Sequence, residues 1–172
     1  MSTESLDAVA GELAAHLIKL NHRVVFAESC TGGCVSAAMA RVPGISEFLC
    51  GSAVTYRNRT KSDWLGVDEN LLSEFGAVSE PVTRQMAVKV LAMTPEAHWG
   101  ASVTGHLGPG SPDGLDGVVF TSVARRFDGG NIVVVQSRTH RLASSSRAIR
   151  QHESATRVLR DLCQVLCGAE SG

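Results

Sequence analysis

The chain has 172 residues, of which 44% are hydrophobic and 19% charged, and its formal net charge is −1. A chain of this size can bury a core in a single domain over residues 1–172, and its near-neutral balance excludes the global basic field that draws in nucleic acid. No apolar run approaches the roughly 18 residues that cross a bilayer. Met1-Ser2-Thr3-Glu4 also lacks the basic-then-apolar order of a secretory signal, so a cytoplasmic protein with neither membrane nor nucleic-acid partner is expected.

Leu6, Val9, Leu13, Leu17 and Leu20 recur at helical steps and predict an amphipathic helix over 4–20. A continuously apolar strand follows over 22–28, the pattern of a sheet covered on both faces. The spacing then predicts a helix from Thr31 to Arg41, halted by Pro43-Gly44, and a strand from Phe48 to Tyr56. Short helical turns are expected over 61–66 and 70–75. The clearest helix begins at Ser79, which reads as its N-cap, and carries Val82, Met86, Val90 and Met93 along one face before Pro95.

A strand over 99–104 leads into a Gly- and Pro-rich segment, 105–114, unsuited to regular structure. Residues 117–126 and 131–140 alternate like a hairpin joined by Asp128-Gly129-Gly130. A last helix is expected over 145–167, with Leu159, Leu162 and Leu166 facing inward. Helices interleaved with strands, plus one hairpin, predict an α/β fold: a three-layer α/β/α sandwich with a mixed sheet.

Five cysteines, an odd number, agree with a reducing compartment. Cys30 and Cys34 lie four apart, as do Cys163 and Cys167. Zinc sites favour tighter C-x-x-C spacing, so these pairs read as small core residues rather than metal ligands.

Three loops gather the polar and glycine signals, each after a predicted strand, where open α/β sheets bind ligands. The first is Glu28-Ser29-Cys30-Thr31-Gly32-Gly33. It lifts one hydroxyl to a strand end and opens a helix whose unpaired N–H groups suit a phosphate or a developing oxyanion. Ser29 therefore reads as a nucleophile, or simply as a helix cap. The second loop, Tyr56-Arg57-Asn58-Arg59-Thr60-Lys61, offers a phenol and an amine, either of which takes a serine proton if its pKa falls by several units. The third is Thr104-Gly105-His106-Leu107-Gly108-Pro109. Arg147 and Arg150, in the first turn of the last helix, sit where the macrodipole disfavours cations; an anionic ligand or plain exposure accounts for them equally.

Ala27-Glu28-Ser29-Cys30-Thr31-Gly32-Gly33, then Gly51-Ser52-Ala53-Val54-Thr55-Tyr56 with Asn58, Lys61 and Leu65-Gly66-Val67, then Gly76-Ala77-Val78-Ser79-Glu80 and Thr104-Gly105…Gly108-Pro109, stand in order along the chain. In these blocks the sequence resembles the CinA C-terminal domain family, the nicotinamide-nucleotide amidases, over about residues 6–166. The resemblance implies hydrolysis of nicotinamide mononucleotide to nicotinate mononucleotide and ammonia, without metal or other cofactor. It places the nucleophile on Ser29 and assisting roles on Tyr56 and Lys61, with amides at the start of the 31–33 helix holding the oxyanion. Thr31, Gly32, Gly33, Asn58, Thr104 and Gly105 are then candidates for orienting the nucleotide, and Arg150 for its phosphate. The resemblance further implies a stand-alone form of the domain and a homo-oligomer.

Three places depart from the family pattern. Arg59 stands where an acidic residue is usual, His106-Leu107 and Ser111-Pro112 alter the third loop, and Ser144-Ser145-Ser146 replaces the usual opening of the last helix, shifting Arg147 by one. A binding domain that kept the cleft and lost turnover, or an amidase for another amide, are the competing readings.

Overall fold

A computed structural model describes residues 4–170. In chain order the elements are α1 (Leu6–Leu20), β1 (Val24–Glu28), α2 (Cys34–Ala40), β2 (Leu49–Val54), α3 (Asn58–Leu65), α4 (Glu69–Phe75), α5 (Glu80–Ala92), β3 (Trp99–Gly105), β4 (Val118–Arg126), β5 (Ile132–Arg141) and α6 (Arg147–Glu170). The strands form one sheet in the order β2-β1-β3-β4-β5. β1 runs parallel to both β2 and β3, whereas β3, β4 and β5 pair antiparallel, so the sheet is mixed.

Two cores cover the two faces of the sheet, and the period-2 geometry of β1 divides its residues between them. Val24 and Phe26 join the core built with α1, α2 and α6, where Leu13 and Leu17 meet Leu159, Leu162 and Leu166. Val25 and Ala27 face the other core, where α5 contributes Val82, Met86 and Val90, and α3 and α4 add Leu65 and Leu72. All five residues of β1 are buried, as a strand covered on both faces requires. The three-layer arrangement follows.

Several boundaries differ from the sequence expectation. The helix expected from Thr31 begins at Cys34, because Gly32 and Gly33 adopt left-handed backbone at φ +60° and +99° and hold a turn open between strand and helix. α3 starts three residues earlier than expected, so Asn58 lies inside the helix. Ser79 does not cap α5 with its side chain; its hydroxyl donates back to the Gly76 carbonyl. Met93 ends that helix exposed rather than on its buried face. Cys30 and Cys163 are core residues as expected, but Cys34 is only half-buried and Cys167 is exposed.

β1 is the central parallel strand, flanked by β2 and β3, so the loops leaving all three collect at one end of the sheet. That end holds Ser29, Tyr56 and the residues that follow Gly105.

Candidate active site

Ser29 is the first residue past β1 and is 8% exposed. Lys61, 32 positions on, reaches it from α3: its Nζ lies 3.0 Å from Ser29 Oγ and donates to the Thr55 carbonyl at 2.6 Å. The amine is almost wholly enclosed, at 1% exposure. Burial penalises the ammonium form and lowers the Lys61 pKa from 10.5 to about 8, against a smaller opposing pull from Cys30. At pH 7 roughly a tenth of such an amine is uncharged and can accept a proton.

The loop that presents Ser29 is organised by Glu28, a residue whose role the sequence reading overlooked. Its carboxylate is fully buried and accepts from the Thr31 hydroxyl at 2.8 Å and from the amides of Gly33, Val35 and Ser36 at 3.0 Å each. The Ser52 hydroxyl on β2 adds a fifth contact at 2.9 Å. Here lies a partial correction: of the 31–33 amides expected to hold an oxyanion, that of Gly33 is instead directed at an internal carboxylate, which the α2 N-terminus stabilises. The Gly32 and Cys34 amides bond to the Ser29 and Thr31 carbonyls. Of the two amides that directly follow Ser29, that of Cys30 faces its own sulfur, and among the described residues no backbone acceptor takes that of Thr31. The signal for Glu28 was legible, since an acidic residue closing an apolar central strand must find partners or stay neutral.

Tyr56 occupies a different place from the one expected. It is 56% exposed, and its phenol oxygen accepts from Arg147 Nη2 at 2.7 Å. No hydrogen bond among the described residues joins it to Ser29 or Lys61. Arg147 also donates to the Gly108 carbonyl, so this guanidinium links the second and third loops across the start of α6. Both partners are neutral, and the first turn of α6 contains no acidic residue.

Arg150 is the second correction. It is buried, with Nη1 and Nη2 on the two oxygens of Asp116 at 2.9 and 2.7 Å and Nε on the Ser144 carbonyl at 2.6 Å. That bidentate pair holds Asp116 well below the usual carboxylate range. Each nitrogen donates to a protein oxygen, three of the five N–H groups in all, and Asp116 already balances the charge, so Arg150 secures the third loop. Gly108 and Gly117 leave room for it: a Cβ on either would come within 3.1 or 3.2 Å of an Arg150 nitrogen.

The remaining candidates divide. Gly32 and Gly33 shape the turn, and the Gln151 side chain donates to the Thr31 carbonyl beside them at 2.8 Å. The Thr104 hydroxyl faces inward, 2.7 Å from that of Thr83 on α5. A Cβ on Gly105 would strike Val119 at 2.6 Å and Cys30 Sγ at 3.2 Å, so tight packing explains that glycine. Asn58 opens α3 and borders a groove of about 460 Å³ with Ser62, Asp63 and Glu69. Of the departures from the family pattern, Arg59 pairs with Asp63 on the surface and Leu107 enters the core. Burial raises the Cys30 thiol to about 12, which leaves it inert beside the serine. Among the described residues no group of three or more His, Cys, Asp or Glu side chains could hold a metal ion.

Comparison with known proteins gives the same picture of the fold. A CinA-like protein of Gloeothece citriformis is 40% identical over 125 residues, a match covering 70% of this chain and 28% of that protein. A putative competence-damage inducible protein of Clostridium perfringens is 45% identical over 106 residues, covering 62% and 25%. This chain therefore spans less than a third of the length of these curated relatives. The crystal structure of the competence/damage inducible protein CihA from Agrobacterium tumefaciens superposes with a TM-score of 0.84 at 30% identity, covering 95% of this chain and 98% of that one. The competence or damage-inducible protein from Enterobacter asburiae gives 0.84 at 26%, covering 95% and 99%. The family profile itself matches residues 6–166, and with it the sheet, both cores and the serine loop: the chain belongs to the CinA C-terminal domain family.

Proposed function

We propose that this protein is a metal-independent amidohydrolase that converts nicotinamide mononucleotide to nicotinate mononucleotide and ammonia, with Ser29 as nucleophile and Lys61 as its base. The observation that carries this reading is the 3.0 Å approach of a buried, pKa-lowered amine to a serine hydroxyl at the ligand end of the sheet. Without a countercharge, burying a lysine is unfavourable, so its retention beside a hydroxyl points to chemistry.

In this reading neutral Lys61 accepts the Ser29 proton as Oγ attacks the carboxamide carbon. The Thr31 amide faces the developing oxyanion, a contribution of about 2.7–4 kcal/mol per donor in comparable sites. Lys61 then returns the proton to the leaving nitrogen, ammonia departs, and water releases the acyl group. Tyr56, bonded to Arg147, acts at the rim rather than as the base. Arg147, whose partners are neutral, is the cation that takes the nucleotide phosphate, in place of Arg150.

Ammonia release from nicotinamide mononucleotide by the wild type, lost in Ser29→Ala, is the expected result. A wild type that binds the nucleotide without releasing ammonia would instead identify a binding domain that kept the fold.

A further inference from the structure

We propose that His22 and His98 form an acid-sensitive latch, two imidazoles that fasten the starts of β1 and β3 only while both are neutral. His22 stands shortly before β1 and His98 directly before β3, and these strands run parallel. The pair therefore lies at the end of the sheet opposite Ser29, outside the site described above. The rings stack with centroids 4.5 Å apart and planes 17° from parallel.

Each ring acts as an acceptor. Trp99 Nε1 donates to His22 Nδ1 at 3.0 Å, and the backbone amide of Arg23 donates to His98 Nδ1 at 3.0 Å. An indole N–H and a backbone amide can only donate, so both Nδ1 atoms are bare and each neutral ring carries its hydrogen on Nε2. Backbone bonds close around the same residues. The Arg23 carbonyl accepts from the amides of His98 and Trp99 at 2.9 and 3.1 Å, and the His98 carbonyl accepts from the Arg126 amide at 2.8 Å. His98 thus ties β1, β3 and the end of β4 at one point.

A proton on either ring turns its Nδ1 into a donor that faces another donor. Protonating His22 strands the indole N–H of Trp99, a residue only 1% exposed, and protonating His98 strands the Arg23 amide. The surrounding charges oppose that proton as well: His98 and Arg125 bear on His22, while Arg23 and Arg126 bear on His98. Acids on the adjoining segments are engaged with Arg23, Glu96 at 4.0 Å from its Nε and Glu47 through its carbonyl at 3.1 Å. The Cys50 thiol of β2, raised by burial, adds no charge in acid. Burial first, and then the neighbouring cations, hold both imidazoles below the ordinary 6.5. The latch therefore contributes in full above pH 6.5 and weakens as pH falls, because the opened segment binds protons that the closed one refuses. At pH 5 each histidine multiplies the opening equilibrium by up to about 30, and the two together by up to about 10³.

Native-state hydrogen exchange at pH 7.5 and pH 5, corrected for intrinsic rates, tests the latch in wild type and in His22→Asn/His98→Asn. Asparagine Oδ1 replaces Nδ1 as the acceptor and does not titrate. Wild-type protection of the Arg23 amide is expected to fall by roughly 30- to 10³-fold from pH 7.5 to pH 5. Protection of the Thr55 amide, at the other end of the sheet, should fall far less, and the double variant should hold the Arg23 amide equally well at both pH values. Imidazole NMR of the wild type runs alongside and decides the matter if the variant does not fold: both rings should be Nε2–H tautomers that titrate below 6.5. Wild-type protection of Arg23 that ignores pH would overturn the proposal. So would the same loss in the variant, or rings that take up protons at 6.5 or above while the Arg23 amide stays protected.

Discussion

Lys61 Nζ and Ser29 Oγ stand 3.0 Å apart, although 32 residues separate them in the chain and α3 must turn back on β1 to join them. The contact sets a basic group where solvent barely reaches, and its first consequence concerns stability rather than rate. In the folded protein Lys61 titrates near 8, below its ordinary 10.5. Between those values the unfolded chain holds a proton that the folded one has released, so this residue makes stability rise with pH across that window. Below pH 8 the full penalty applies.

Lys61→Met removes that penalty. Relative to wild type, the variant is expected to be more favoured at pH 7 than at pH 10.5 by on the order of 3 kcal/mol, the equivalent of the displaced titration. Urea denaturation at the two pH values measures the difference, and an offset independent of pH would mean that Lys61 titrates normally.

Glu28→Gln should destabilise the fold by about 2–4 kcal/mol, because an amide nitrogen turned toward the donors leaves at least one of them unmet. Ser52→Ala removes only one of the five contacts and should cost about 1 kcal/mol. Chemical denaturation midpoints separate the two. Equal small effects would show that the buried carboxylate does not organise the loop.

The two arginines of α6 are expected to fail differently. Arg147→Ala should raise KM for nicotinamide mononucleotide far more than for the free nucleoside, with the melting temperature nearly unchanged. Arg150→Ala should lower the melting temperature by releasing Asp116 and the third loop, and should affect both substrates alike. The reverse pattern would return the phosphate contact to Arg150.

Much of this arrangement was legible from the sequence, for identifiable reasons. The apolar run closing at Glu28, the i, i+3, i+4 pattern of α1 and the alternating hairpin of β4 and β5 each carry their period in a short window. Less visible were relationships that depend on where a side chain ends rather than where its residue sits. Arg147 and Arg150 share a helical turn and the same chemistry, yet only Arg150 has Asp116 beside it, from a loop 34 residues earlier. Likewise the amides after Gly32 looked available because their acceptor, Glu28, had been counted as part of the strand. Positive φ at Gly32 and Gly33 postponed the helix, and a periodicity reading does not register a backbone turn.

Cys30 lies next to the proposed nucleophile but should not share its reactivity. Burial holds its thiol near 12, whereas Cys167 is exposed at the far end of α6. Iodoacetamide at pH 8 is expected to label Cys167 first and to leave turnover intact; peptide mapping alongside residual activity decides the matter. Loss of activity that tracks Cys30 labelling would contradict the assignment.

The pairing of Ser29 with Lys61 is tested most directly by the pH dependence of kcat/KM for nicotinamide mononucleotide, which reports groups in the free enzyme. The expected profile rises with unit slope at low pH and levels near pH 8, as Lys61 loses its proton, and Lys61→Met is slower by roughly 10²-fold with no such limb. A wild-type profile flat from pH 6 to 9, or the same limb persisting in the variant, would contradict it.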